Sequence, residues 1–402
     1  MKKLVDKRKI NAFVLLFVAT YMISYITRIN FGAIISEIRS QTGISKSLLS
    51  MSVTGSFITY GIGQIISGIF GDRISPKKLV SLGLVTSVCM NFLMSLCKDP
   101  YQMLIIWSIN GFAQSFMWAP IVKIMTEILS ESDYKYAITK VSWGSSIGTI
   151  IVYLTAPLLI SAFRWRSVFF FSAMLGLVMI FVWNRHSCDV EPNAQQKANT
   201  IENGAAFLKP VFVGILFAIV LQGMLRDGVA TWMPSFIAET YHLSNEISIL
   251  TGVILPVFSI LCFQIANKLY TKKFENPVVC AGLFFAVGAL SALVLRFSAG
   301  LNTVVSVFMF AVLTGCMHGV NLMLVCMIPP YFQRTGKVST ISGILNASTY
   351  LGSSLSTYGI AVLSEAFGWN FTIIVWLIIA ICGTGVCLVC SRHWNHYKNT
   401  FC

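Results

Sequence analysis

The sequence predicts an all-α membrane protein of twelve transmembrane helices in two pseudo-symmetric six-helix bundles. Three observations lead there. Of 402 residues, 56% are hydrophobic and only 11% charged, against about 45–50% and about 25% in a soluble domain. A chain so poor in charge cannot cover its own surface in water. The apolar stretches are continuous over about 20 residues, the length that crosses a bilayer, and do not alternate over about ten as barrel strands do. The second half of the chain also repeats landmarks of the first at a nearly fixed offset. Lipid offers no partner to unpaired backbone groups, so continuous spans must be helices.

The first span, 10–35, follows a basic head of Lys2, Lys3, Lys7, Arg8 and Lys9. A signal peptide starts similarly, but its apolar core is shorter and ends in a small-residue cleavage site. The run is therefore read as a retained helix. Spans follow at 47–70, 78–97, 100–129, 136–162 and 166–185. A hydrophilic stretch from His186 to Asn203 then interrupts the pattern, carrying Asp189, Glu191, Lys197 and Glu202. Six more spans come after it, at 207–240, 246–270, 276–297, 301–328, 337–364 and 368–391. The expected organisation is one bundle over 1–185, a cytoplasmic linker over 186–206 and a second bundle over 207–402.

A net charge of +14 would suggest nucleic acid in a soluble chain. Here the basic residues sit in short loops between apolar runs, which is the positive-inside pattern. With the N-terminus inside, 20 of the 29 Lys and Arg residues fall in inner segments and 6 in outer loops. The remaining three, Arg28, Lys123 and Arg226, lie within spans. Both termini are thus expected in the cytoplasm and no nucleic-acid partner is expected. Most of the 11 cysteines lie in apolar runs without zinc-ligand spacing, as buried thiols do.

The repeat is specific. Gly111 matches Gly315, Gly148 matches Gly352, and Phe163-Arg164-Trp165 matches Phe367-Gly368-Trp369, each 204 residues apart. Arg28 and Arg226 are 198 apart, at equivalent depth in spans one and seven. Duplicated six-helix halves around a midplane site are an architecture of secondary transporters.

The loop after span two reads Gly68-Ile69-Phe70-Gly71-Asp72-Arg73-Ile74-Ser75-Pro76-Lys77-Lys78. It resembles the loop signature of the major facilitator superfamily: glycine, acid, then basic residues. Within that superfamily the chain resembles the organophosphate:phosphate antiporters, along Tyr21–Phe31, Tyr60–Pro76, Trp118–Met125, Tyr350-Leu351-Gly352 and Phe367-Gly368-Trp369. The resemblance implies that Arg28 and Arg226 bind the substrate phosphate. It also implies that Tyr21, Tyr25 and Tyr60 line the same cavity. A lysine of that family's site stands here as Gln64 and a histidine as Ser145, which removes part of the positive cavity. For Asp72 and Arg73 it implies a conformational lock between the two halves.

The residues support an anion site independently. An arginine inside a span is costly and faces a cavity or a partner. Arg28 has Phe31 and Gly32, not acids, one turn on. Arg226 has Asp227 beside it, but neighbours one apart point about 100° apart on a helix. Two inward guanidinium forks without an intrahelical partner suit a carboxylate or phosphate; the alternative is structural pairing with Asp227 or another acid. Tyr21, Tyr25 and Arg28 share one helix face, as substrate ligands or as an aromatic packing stripe. Lys123 and Glu127, four apart, fit an intrahelical salt bridge first and a gate or proton relay second. His318 reads first as a packing histidine and second as a protonatable site. Asp227 is the candidate for a coupling proton.

These readings give the expected function: a secondary active transporter of small organic anions by alternating access in the cytoplasmic membrane, exchanging an organic phosphate ester for inorganic phosphate. The alternatives are a proton-coupled symporter of organic carboxylates and a transporter-like membrane sensor of sugar phosphate. No nucleotide-binding motif, metal-ligand cluster or nucleophile triad is present in the sequence. The expectation is a monomer in the bilayer that is not an enzyme and uses no cofactor, with phosphate or a proton as the coupling species.

Overall fold

The computed structural model describes residues 3–190, 209–335 and 338–401, and among them every regular element is helical. The first six spans are α1 (Lys7–Ala33), α3 (Lys46–Arg73), α4 (Pro76–Leu96), α5 (Pro100–Ile128), α6 (Glu131–Ala162) and α7 (Arg166–His186), with a short α2 (Ile35–Thr42) prolonging α1. The second six begin with α8 (Pro210–Tyr241). A short α9 (Asn245–Thr251) leads into α10 (Ile254–Lys272), followed by α11 (Pro277–Ser298) and α12 (Thr303–Asn321). The helix α13 (Val338–Phe401) supplies two spans, because Gly368 at φ 74°, ψ 175° breaks it. Twelve spans result, matching the sequence expectation; the greater part of the 186–206 linker lies outside the described residues.

Local chemistry starts the helices where the sequence breaks. Ser75, Asp99 and Asn276 each accept a backbone N–H of the first turn, and each is followed by a proline at the first helical position. That proline lacks only a donor that has no helical partner anyway, and its ring presets φ. Leu4 N–H donates to the Ile128 carbonyl at 2.8 Å, so the N-terminal segment docks on the end of α5.

The landmarks repeated in sequence do the same work in each half. A Cβ at Gly148 would strike the Met22 carbonyl and one at Gly352 the Val220 carbonyl, and Met22 and Val220 are again 198 apart. Gly111 likewise admits the Ser56 backbone and Gly315 the Phe258 backbone. Small residues thus let span five close on span one, and span eleven on span seven. The two halves meet along two seams. In one, α3 packs on α13, where a Cβ at Gly61 would lie 3.5 Å from Tyr350 Cβ and Gly343 abuts the Gln64 backbone. In the other, α6 packs on α10, with Tyr153 against Gly252 in the turn between α9 and α10.

The second half is less regular than its apolar runs predict. Span eight is interrupted at Gly252–Val253, and α12 continues into a π turn at Leu322–Cys326 and a 3-10 turn at Pro329–Thr335. Such bulges occur often beside functional sites.

Candidate functional site between the two bundles

The arginines meet in a cavity between the halves. Arg28 (α1) is 6% exposed. Its guanidinium carbon lies 4.2 Å from the Tyr25 ring centroid, 4.7 Å from that of Tyr60 and 5.6 Å from that of Tyr350. Three rings from α1, α3 and α13 therefore box the cation, each with its negative face available to it. Among the described residues no carboxylate pairs with Arg28, and its Nη1 is buried without a hydrogen-bond partner. An orphaned charged donor of this kind is expensive unless a ligand completes it.

Arg226 (α8) corrects the expectation drawn from helix geometry. Its Nε and Nη2 each donate to a different oxygen of Asp227 at 2.8 Å, and Asp227 Oδ2 also accepts from Ser353 Oγ (α13) at 2.6 Å. Neighbouring Cβ vectors do diverge by about 100°. The four-bond arginine side chain bridges the gap, so direction at Cβ does not fix where a guanidinium ends. The Arg226 guanidinium carbon also lies 5.5 Å from the Tyr350 ring.

The cavity, about 120 Å³ in volume, is lined by Tyr25, Arg28, Ser145, Ser146, Thr149, Arg226, Asp227, His318 and Tyr350, among others. A second compartment, toward the end that carries the termini, shares Tyr25, Ser145, Arg226, His318 and Tyr350 and adds Tyr21, Trp118, Asn321 and Asn346. The donors Trp118 Nε1 and Asn321 Nδ2 are buried there without partners. Asn321 stands directly before the π turn. Arg226 and these two N–H donors line the second compartment together, a set that suits an oxygen-rich anion.

The sequence profile of the Major Facilitator Superfamily matches residues 17–357. The chain belongs to the major facilitator superfamily. It is 25% identical over 424 aligned residues to the glycerol-3-phosphate transporter of Bacillus subtilis, covering 97% of this chain and 93% of that one. To the probable hexose phosphate transport protein of Chlamydia trachomatis it is 20% identical, over 90% of this chain and 86% of the relative. To the membrane sensor protein UhpC of Salmonella typhimurium it is 21% identical, over 87% and 84%. Among solved structures, a bacterial homologue of the human lysosomal transporter Spinster, inward-facing and occupied, aligns with a TM-score of 0.76 at 13% identity, covering 98% of this chain and 99% of that one. The resemblance to the organophosphate:phosphate antiporters read from the motifs agrees with these relatives, and the chain is an integral membrane protein.

Within this major facilitator fold the expected site residues divide. Arg28, Arg226, Asp227, Tyr25, Ser145 and His318 share the cavity. Tyr21 lines the second compartment, its ring 5.1 Å from Tyr25 and 4.9 Å from Trp118. Tyr60 reaches the site through Arg28 and Tyr350. His318 packs edge-on to Phe263 at 5.5 Å, so it is both a packing and a cavity residue. Gln64 is wholly buried and donates to the Ser115 carbonyl of α5 at 3.1 Å; it is not among the lining residues of either compartment. Lys123 and Glu127 sit in the last turns of α5, near the termini end, and line neither compartment. The side chains of Asp72 and Arg73, at the end of α3, lie outside the described residues.

Sequence reasoning passed over Tyr350, Ser353, Trp118 and Asn321 as site residues. Tyr350 was marked only as part of a motif. Its place four residues before Ser354 on a span facing α3 carries no polarity signal that would separate it from packing aromatics.

Proposed function

We propose that this chain is a secondary active transporter that carries organic phosphate esters across the cytoplasmic membrane in exchange for inorganic phosphate, its two six-helix bundles rocking about the Arg28–Arg226 site with both termini in the cytoplasm. The observation that supports it is Arg28. A buried guanidinium held by three tyrosine rings from both halves, with an Nη1 that no group among the described residues satisfies, is a receptor for an anionic oxygen. Because the rings come from both halves, an anion bound there couples its presence to how the bundles sit. The named activities of the glycerol-phosphate and hexose-phosphate relatives give the ester as the substrate class.

The pairing of Arg226 with Asp227 supports a second reading, a proton-coupled symporter of organic carboxylates, because the pair leaves one net positive charge for a singly charged guest.

The test is uptake into proteoliposomes preloaded with phosphate, against phosphate esters and their carboxylate analogues. Exchange of the ester for phosphate is expected. Arg28→Lys keeps a charge but loses the planar fork and lowers exchange on the order of a hundredfold, two charge-assisted hydrogen bonds at about 1.5 kcal/mol each. Uptake of the carboxylate alone, driven by a pH gradient, establishes the second reading. Binding of ester without any flux establishes a sensor.

A further inference from the structure

The Arg226 fork is already occupied. Asp227 takes both of its parallel N–H bonds and is itself anchored to α13 by Ser353. A substrate anion cannot use that bidentate face while Asp227 holds it. Arg28, by contrast, keeps an unpartnered Nη1. Two arginines and one carboxylate give the cavity a formal charge of +1. Among the described residues, the other titratable groups around the two arginines are Tyr21 and Tyr25 on α1, Tyr60 on α3, Tyr153 on α6, His318 on α12, Cys326 in the π turn and Tyr350 on α13. Tyrosine and cysteine ordinarily titrate above neutral pH, which leaves His318 and Asp227 as the two side chains the experiment has to separate.

We infer that Asp227 is an internal counter-ion that competes with the substrate for Arg226, so that the site takes a singly charged anion directly and a doubly charged one only together with a proton. The inference rests on the anion-exchange reading above and refines it: the charge state of the guest, and not only its phosphate group, is selected. A dianion that displaces Asp227 leaves three negative charges against two positive ones in a largely buried site, and protonation of the freed carboxylate restores the balance. A phosphate monoester, with its second pKa near 6, is admitted as the monoanion or with one proton.

The experiment measures binding of inorganic phosphate and of sulfate to the purified full-length chain between pH 6 and pH 8, with wild type, Asp227→Asn and His318→Gln. Sulfate remains a dianion throughout, so its pH dependence reports on the protein alone. Wild type is expected to bind sulfate at least tenfold more weakly at pH 8 than at pH 6. Asp227→Asn, which removes the competing charge and one of the two acceptors on the Arg226 fork, is expected to bind sulfate at pH 8 at least tenfold more tightly than wild type, with little pH dependence left. Wild-type sulfate affinity that does not change with pH overturns the inference, and this arm requires no variant to fold. So does an Asp227→Asn protein that melts like wild type yet binds sulfate no better, or removal of the pH dependence by His318→Gln instead. Exchange of phosphate in liposomes, run in parallel, separates the two claims. If exchange occurs while sulfate binding ignores Asp227, the inference fails and the transport reading stands. If Asp227→Asn gains sulfate while wild type exchanges no phosphate, the transport reading fails and the inference stands.

Discussion

Tyr60 and Tyr350 pack ring against ring across the seam between the two halves, their centroids 4.1 Å apart and their planes tilted by 52°. Tyr350 also lies almost equally far from both cations, 5.6 Å from the Arg28 guanidinium carbon and 5.5 Å from that of Arg226. One ring from span eleven therefore reads both arginines and is pinned by a ring from span two. If the halves move apart on one side of the membrane, this contact changes with them.

Tyr350→Ala removes two cation–π contacts and the ring contact with Tyr60. Desolvated cation–π contacts are worth up to about 2 kcal/mol and aromatic pairs about 0.5–1.5 kcal/mol. The expected outcome is a rise in half-saturation for the anion on the order of tenfold to a hundredfold. Tyr350→Phe keeps the ring and stays much closer to wild type. Concentration dependence of exchange checks both; equal losses in the two variants would place the role in the hydroxyl instead.

The first bundle carries a buried polar network that the second keeps only in part: Gln222, Ser291 and Thr314 stand at the positions of Ser24, Ser87 and Asn110. Gln114 donates to Thr27 Oγ1 at 2.8 Å and Ser87 Oγ at 2.7 Å, and accepts from Ser24 Oγ at 2.6 Å. Asn30 donates to Asn91 Oδ1 at 2.8 Å and to Ser172 Oγ at 3.0 Å, and Asn91 and Asn110 both donate to the Thr27 carbonyl. At the repeat-related positions the second half has Leu225, Gly228, Leu295 and Trp376 for Thr27, Asn30, Asn91 and Ser172, and His318 for Gln114. His318 faces the cavity, whereas Gln114 is spent on helix packing. Gln114→Leu leaves the Ser24 hydroxyl without its acceptor and is expected to destabilise by about 1–2 kcal/mol, the upper range for interhelical hydrogen bonds in membranes. Thermal unfolding in detergent measures this, while anion affinity of the folded fraction stays close to wild type because Gln114 does not line the cavity.

The spans were legible because each apolar run is long enough to cross a bilayer, and the repeat was legible because Gly148 and Gly352 meet equivalent carbonyls. What escaped depended on side-chain reach or on packing. Asp227 looked misdirected by its spacing, yet the length of Arg226 closes the gap. Gln64 shares span two with Tyr60, but its amide is taken up by the Ser115 carbonyl. The break at Gly252 and the π turn at Leu322–Cys326 interrupt runs that are apolar throughout, so hydropathy carried no trace of them.

The repeat also exposes a strained residue. Gly368 interrupts α13 at φ 74°, and the residue 204 positions earlier, between α6 and α7, is Arg164 at φ 155°. Both halves thus turn into their last span through a positive φ, but only the second uses the residue that adopts it without a Cβ penalty. A non-glycine residue held in such a region costs about 1–3 kcal/mol. Glycine raises the entropy of the unfolded chain by about 0.5–1 kcal/mol, so Arg164→Gly is expected to stabilise the protein by about 1 kcal/mol net. The reverse experiment, Gly368→Ala, places a Cβ at φ 74° and is expected to destabilise by a similar amount. Arg164 is exposed and does not line either compartment, so exchange rates are expected to stay at wild-type values in the Arg164→Gly protein. Paired melting curves decide the matter: a lower melting temperature for Arg164→Gly would mean that the local structure compensates the strain at Arg164.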